Sequence, residues 1–324
     1  MKKIFLIAMG GTISTTGTAG SLLPSLQGEE ILRRSEVAEW LVSRDIATEV
    51  INFTKVNSPN LMPQQIVDLA ALLNERLPEE DVLGAVITHG TSTMEETAFL
   101  LDILVDAKKP VIMTGSMRSS SSPWADGPSN LHDSIRVLAD PACPPNVLLV
   151  FNGLIHFGRY IHKANSSNLS PFTSQDQGLA GDIYEDHIRW FSRTLIPRHV
   201  AFSGTLTASA AIIPYYMGAD GRYIDYAAAS GEKGIVVEGV GLGNLNAAYH
   251  DAIRRAVAQG LTVVDTTRCD CGPVMPVYAN KGGAATIKES GAYLSSLSSA
   301  KARLILLLHL NGAIRQDELE EWLG

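Results

Sequence analysis

Cysteine is scarce: Cys143, Cys269 and Cys271 are the three in 324 residues. An odd, sparse set excludes a disulfide framework and points to a reducing compartment, the cytoplasm. Cys269 and Cys271 form a Cys-x-Cys pair without further ligands nearby in sequence, so a zinc site is not expected and all three are read as structural. Also missing is any apolar run near the roughly 20 residues that span a bilayer, which excludes a transmembrane helix. There is no basic cluster and the formal net charge is -8, so nucleic acid is not an expected partner. The opening "MKKIFLIAMGGT" imitates a signal peptide with its two lysines and apolar run. That run is short, however, and leads into Gly-Gly-Thr rather than a cleavage site. It is read as a buried first strand.

What is present is a chain with 45% hydrophobic and 19% charged residues, enough for about two domains with cores of their own. The first half alternates. The runs "KIFLIAM", "TEVINFTKV", "LGAVITHG", "PVIMTGS" and "NVLLVFNG" read as strands, apolar nearly throughout as strands buried on both faces are. Between them, "PQQIVDLAALLNERL", Met94 to Leu104 and "ADGPSNLHDSIRVLAD" have helical periodicity. Thr93, three residues before Glu96, has the spacing of a capping box, and Pro128 sits where a first helical turn tolerates proline. The run Ser119 to Ser122 reads as a flexible loop. Alternation of this kind predicts an α/β fold with a doubly wound parallel sheet over residues 1–189. The pattern loosens over 190–212, taken as a linker. A smaller α/β domain is expected over 213–324, built from "GIVVEGVG", "NAAYHDAIRRAVAQG", "LTVVDTT" and "SSAKARLILLLHL".

Three of the first-half strands end in small polar turns: Gly10-Gly11-Thr12, His89-Gly90-Thr91-Ser92 and Gly115-Ser116-Met117. Ligands of open parallel sheets bind at the carboxyl ends of strands, and glycine lets them approach the backbone. Thr12 and Thr91 should therefore face one crevice. A threonine hydroxyl is a weak nucleophile that needs a base. Lys163, in "GRYIHKANSS", is the candidate, since desolvation lowers a lysine's pKa into the range of a base. Each feature alone has a plainer reading, as a turn or a solvated lysine. His89 has no second ligand at metal spacing and reads as a structural histidine. A rival motif, Gly239-x-Gly241 after a strand with Asp265 ending the next, imitates a dinucleotide site, but Asn244 stands where the third glycine belongs. "GGTISTTGT" lacks the Lys-Ser/Thr of a phosphate loop.

Taken together, "LIAMGGTIS", "VITHGTSTMEETAFLL", "GSMRSSSSPWADGPSNL", "GRYIHKANSS", "GIVVEGVGLGNL" and "LSSAKARLILLL" occur in the order found in the bacterial L-asparaginase family, and the chain resembles that family over almost its whole length. The resemblance implies hydrolysis of a small-molecule side-chain amide through an acyl-enzyme on a threonine, with no metal and no cofactor. It implies a homodimer or homotetramer in which each site is completed by a neighbour's C-terminal domain. Thr12 matches the nucleophile. Thr91 and Lys163 match the pair that activates it or the water. Ser58 matches the serine that holds the substrate α-carboxylate, Ser116 a small pocket residue, and Asn244 the asparagine given across the subunit interface. Backbone N–H groups near Gly11 and Thr91, with Gly90 between the loops, are expected to face the substrate and its oxyanion.

The departures are specific. Where the family has an aspartate that binds the substrate α-ammonium and touches the Thr–Lys pair, this chain has Ser92. Pro59 replaces a frequent glutamine, Leu22 or Leu23 the first-loop tyrosine, and Tyr278 stands where a distal glutamate is sought. The machinery of the nucleophile is kept and the amino-acid recognition groups are not. The expected function is an amidohydrolase acting on an amide without a free α-ammonium. Ordinary asparaginase or glutaminase activity is the alternative, and a non-catalytic binding protein of the same fold is the alternative of another class. An amide-hydrolysing subunit of a tRNA-dependent amidotransferase would be expected to carry a further segment ahead of the nucleophile motif.

Overall fold

In the computed structural model, which describes all residues except 19, 107 and 194–197, the chain divides into two compact units, Met1–His199 and Val200–Gly324. In the first, the strand β1 (Lys2–Gly10) lies between β2 (Ile46–Val56) and β3 (Val82–Thr88), parallel to both. Ile4 to Met9 are all buried, which accounts for the apolar opening of the chain. β4 (Val111–Thr114) and β5 (Val147–Phe151) continue the parallel sheet. β6 (Leu154–Phe157), β7 (Gly181–Tyr184) and β8 (His187–Trp190) then add on antiparallel, giving the order β8-β7-β6-β5-β4-β3-β1-β2.

The sheet is thus α/β as expected, but only its five-stranded part is parallel. The reason is local. Phe151 pairs with Leu154 across Asn152-Gly153, both at positive φ (50° and 74°). An Asn-Gly pair in this conformation makes a two-residue hairpin, whereas a parallel continuation needs a crossover of about a dozen residues or more. Helix α1 (Gly28–Arg34) and helix α4 (Gly127–Ala139) cover one face, with Ile31, Leu131, Ile135 and Leu138 in one cluster with Ile4, Leu6, Val86 and Ile112. Between them in sequence, α2 (Pro63–Arg76) buries Ile66, Leu69 and Leu73, and α3 (Met94–Leu104) buries Ala98 and Leu101. Alternation along a strand sends Phe5 and Ile7 to the face opposite Ile4 and Leu6. Full burial of such a side chain contributes about 1.5–3 kcal/mol.

The chain leaves β1 for β2 on one side and returns to β3 on the other. The winding direction reverses at β1, and loops at such a switch point splay apart into a crevice. Here the loops after β1 and β3 remain in contact at their bases. A Cβ on Gly11 would stand 2.3 Å from Gly90 Cα, and Gly11 has a left-handed φ of 78°. A Cβ on Gly90 would stand 2.8 Å from Ser58 Oγ, in the loop after β2. The first two loops therefore meet backbone to backbone and the third meets them through the Ser58 side chain, and no larger residue fits at Gly11 or Gly90 without displacement.

The second unit has a four-stranded parallel sheet in the order β9-β10-β11-β12: Ala210–Pro214, Gly234–Gly239, Thr262–Thr267 and Tyr293–Leu294. Helix α5 (Arg222–Ala229) and helix α6 (Ala247–Ala258) pack Ile224, Tyr249 and Ile253 with Ile235, Val237 and Val263. A further helix, Ser299–Leu310, starts at Ser298, whose side chain accepts the Lys301 N–H. The segment 190–212 expected to link the domains is bordered by regular structure: Trp190 closes β8 and Ala210 opens β9. Residues 194–197 of it lie outside the described residues.

Asp265, the acid of the dinucleotide-like motif, is fully buried, and neither carboxylate oxygen has a hydrogen-bond partner among the described residues. Gly239 and Gly243 close over it: a Cβ on either would stand 3.2 Å from Oδ1 or 2.9 Å from Oδ2. An acid shut in by its own glycine loop does not reach a ribose, so that rival reading fails here. No disulfide joins the three cysteines; Cys143 is half-buried in the first unit, whereas Cys269 and Cys271 are exposed, unlike the structural place expected of all three.

Two outcomes follow from these glycines and this acid. Burial pushes the Asp265 carboxyl well above its usual range, so the folded chain holds a proton that the unfolded chain releases at about pH 3.9. Its folded form is then favoured at low pH and loses stability as pH rises from about 4 toward the raised value. Asp265→Asn should therefore melt higher than wild type at pH 8, with the difference vanishing at pH 4; a deficit of equal size at both pH values would show a paired carboxylate instead. Gly11→Ala should lower stability by about 1–3 kcal/mol in a denaturant titration, because the methyl overpacks the Gly90 backbone. Unchanged stability would mean that the two loops separate freely.

Candidate active site

Thr12 follows Gly11 in the short 3-10 turn Thr12–Ser14 at the end of β1. The residues after it hold the turn shut. Ser14 Oγ donates to the Gly11 carbonyl at 2.8 Å, and Thr15 Oγ1 donates to the Thr12 carbonyl at 2.6 Å. No hydrogen bond among the described residues takes up the Thr12 hydroxyl, which is partly exposed. The Gly11 N–H donates to the Val56 carbonyl at 3.0 Å. The Gly11 donor is thus committed to β2, and of the N–H groups near it that of Thr12 has no acceptor among the described residues.

The serine run expected to be a flexible loop is instead laced onto this turn. Ser119 Oγ donates to the Thr15 carbonyl at 2.8 Å, the Ser120 N–H reaches the same oxygen at 3.1 Å, and Ser121 Oγ accepts the Gly17 N–H at 3.0 Å. The preceding turn is fixed by Asp126, whose carboxylate accepts the N–H groups of Met117 and Arg118, each at 2.9 Å. Ser116 is buried and its hydroxyl donates to the Arg118 carbonyl at 2.8 Å, so it shapes the turn rather than offering a free hydroxyl.

On the second loop, Thr91 is buried and Lys163 Nζ donates to its Oγ1 at 2.7 Å. The lysine comes from the two-residue strand His162–Lys163, paired antiparallel with Phe172–Thr173. Phe172 is buried edge-on against Phe151 of β5, 5.3 Å between ring centres, which anchors that ladder to the sheet. Burial lowers the Lys163 pKa below that of a free lysine, and the nearby Glu95 carboxylate opposes the shift. A lysine so placed is better able to be neutral and to accept a proton from Thr91.

His89 is fully buried. Its Nδ1 is 2.7 Å from the Gly90 carbonyl and its Nε2 is 3.0 Å from Thr97 Oγ1. A carbonyl only accepts, so Nδ1 carries the proton and Nε2 accepts from the threonine. Desolvation pulls its pKa down to about 4. It is a neutral brace for the turn, as its lack of partner ligands implied. The capping box is absent: Thr93 caps α3 without a side-chain bond, and its hydroxyl donates to the Ser58 carbonyl at 3.0 Å. The third loop is tied to the second by that bond. Ser58 itself is buried with Oγ against Gly90.

The structure thus gathers Gly11, Ser58 and Gly90 at one place, with Thr12 and Thr91 each next in sequence and Lys163 on Thr91. Ser92 is exposed, and its hydroxyl has no protein partner among the described residues. Asn244 belongs to the second unit, where Val240 and Asn244 bridge and its Oδ1 accepts the Ala284 N–H at 3.4 Å. Among the described residues no three His, Cys, Asp or Glu side chains gather as a metal site requires, and no helix is long and apolar enough to cross a membrane. Sequence reasoning missed Glu95, which contacts both His162 and Lys163; "MEETA" showed acid in a first helical turn, and nothing in it named the lysine.

Known proteins resemble the chain over nearly its whole length. Residues 3–195 match the family model "Asparaginase, N-terminal", and residues 210–323 match "Glutaminase/Asparaginase C-terminal domain". The chain is 33% identical to "L-asparaginase 2" of Bacillus subtilis (strain 168), covering 96% of this chain and 83% of the relative. It is 31% identical to "L-asparaginase 2" of Escherichia coli (strain K12), covering 99% and 92%. It is 30% identical to "Probable L-asparaginase periplasmic" of Haemophilus influenzae, covering 96% and 89%. Both units, the crevice turns and the relatives lead to one statement: the chain is an amidohydrolase that belongs to the asparaginase family.

Proposed function

We propose that the chain hydrolyses the side-chain amide of L-asparagine or a close analogue and releases ammonia. The observation that carries this reading is the 2.7 Å contact between Lys163 Nζ and Thr91 Oγ1, beside the loop that presents an uncommitted Thr12 hydroxyl. The names of the relatives support the substrate class. In this reading Thr12 Oγ1 attacks the amide carbon. Its proton passes to the Thr91–Lys163 pair and then to the leaving nitrogen, so the C–N bond breaks as ammonia forms. A water then attacks the acyl-threonine ester, giving its proton to the same pair and regenerating the Thr12 hydroxyl. The N–H groups of Thr12 and Thr91, unlike that of Gly11, have no protein acceptor among the described residues and are the oxyanion donors of this scheme.

A second reading rests on Ser92. If the substrate ammonium is buried beside it without a counter-charge, about 2–5 kcal/mol is lost, or about 30- to 4,000-fold in affinity. The exposed Ser92 hydroxyl, unbonded to protein, suits a neutral substituent such as an acylated amine, a hydroxyl or an alkyl group. Leu22 and Leu23, both exposed in the first loop, suit the same less polar substrate. The sequence by itself puts this reading first. The relatives' names weigh toward the ordinary one. The free cysteines favour a reducing compartment, the cytoplasm, although one relative is named periplasmic.

The readings separate in one panel. L-Asparagine and L-glutamine should be compared with their deaminated and N-acylated analogues, using wild type, Ser92→Asp and Thr12→Ala. Ordinary activity predicts turnover of the free amino acids by wild type; the second reading predicts preference for the analogues and a shift toward amino acids in Ser92→Asp. Thr12→Ala should be inactive on all of them, and normal turnover by it would exclude the nucleophile. We also propose a homodimer or homotetramer in which Asn244 serves a neighbour's site. Mixing Thr12→Ala with Asn244→Ala subunits should then recover part of the activity. If subunits exchange without any recovery, sites are not shared.

A further inference from the structure

Glu95 stands in the first turn of α3, and its side chain is 15% exposed. A single oxygen, Oε2, accepts the Lys163 N–H at 2.6 Å and lies 3.1 Å from His162 Nδ1. A carboxylate in a first helical turn faces the positive end of the helix dipole. Lys163 is therefore held at both ends by one short stretch of chain: its main chain by Glu95, its Nζ by Thr91. Those two partners are four residues apart in sequence, and Lys163 closes the loop between them.

We infer that Glu95 is the positioning residue of the Thr91–Lys163 pair: it fixes the lysine backbone so that Nζ meets Thr91, and it supplies beside that pair the negative charge that Ser92 does not. The inference rests on the reading that Lys163 accepts a proton through Thr91. Two-residue strands have little stiffness of their own. Without the carboxylate, the ladder of His162–Lys163 on Phe172–Thr173 alone would set where Nζ points. The charge acts in a definite direction. Burial lowers the Lys163 pKa and Glu95 raises it, so the carboxylate keeps the lysine from being neutral too far into acid and preserves its strength as a base. Glu95 from α3 acts on Lys163 directly, and His162 from the lysine's own strand lies against the same carboxylate. A protonated His162 would offset part of the Glu95 charge.

Glu95→Gln keeps an oxygen that accepts the Lys163 N–H and removes the charge; Glu95→Ala removes both. Each is measured in the full chain against pH, beside Lys163→Ala, on the amide that wild type turns over fastest. Removing the charge lowers the Lys163 pKa further, so the acid limb of kcat/KM should move about one pH unit lower in Glu95→Gln, with KM little changed. Glu95→Ala should lose about 100-fold in kcat through misplacement of Nζ. If Glu95→Ala fails to fold, the Glu95→Gln profile decides. An acid limb that coincides with wild type overturns the inference, provided Lys163→Ala is inactive. An active Lys163→Ala overturns the underlying reading of the base instead.

Discussion

The approach of Gly11 to Gly90 is the constraint on which the site depends. Strand β1 sits where the winding of the sheet reverses, and the loops on either side of such a point naturally diverge. Two glycines facing each other bring them back together, because a single Cβ on Gly11 would fall 2.3 Å from the opposite Cα. Each glycine is followed directly by a threonine. Closing the backbones therefore brings Thr12 and Thr91 onto neighbouring loops without any side-chain contact having to hold them. Ser58 joins from β2, and the Thr93 hydroxyl secures that third loop through its carbonyl.

Around this seam the polar groups of the turns satisfy one another and leave few hydroxyls spare. Ser14, Thr15, Ser116 and Ser119 each donate to a backbone carbonyl, and so are spent on shape. Thr12 and Ser92 are not. A hydroxyl with no internal partner keeps its lone pairs and proton for something that enters. Lys163 differs from the surface lysines in the same way: it is withdrawn from water, aimed at Thr91 and held by its main chain from the opposite side.

Local signals were legible and long-range ones were not. The strand-turn-helix order, the glycines at strand ends and the threonines Thr12 and Thr91 behind them could be read because each lies in a short window with its own periodicity or turn chemistry, whereas the roles that join Lys163 to them came from the family resemblance. Asn152-Gly153 also carried a hairpin signal, overlooked because the strand before it looked like the other parallel strands. Thr93 and Glu96 had the spacing of a cap, yet the Thr93 hydroxyl found the Ser58 carbonyl 35 residues away. The serine run looked unstructured because its acceptors, in the turn after β1, are about a hundred positions distant. Glu95 is 68 positions from Lys163, and no pattern in either segment announces the other.

The buried His89 has a consequence for how the protein meets acid. Its ring is neutral down to about pH 4, whereas a free histidine takes up a proton near 6.5. Over that interval the unfolded chain binds a proton that the folded turn refuses, so His89 works against the native state in acid, opposite in sign to Asp265, whose protonated form favours it. The turn itself does not change shape on the way, because Nδ1–H stays on the Gly90 carbonyl and Nε2 stays on Thr97. Mild acid therefore changes how many molecules are folded and leaves the geometry of those that remain intact.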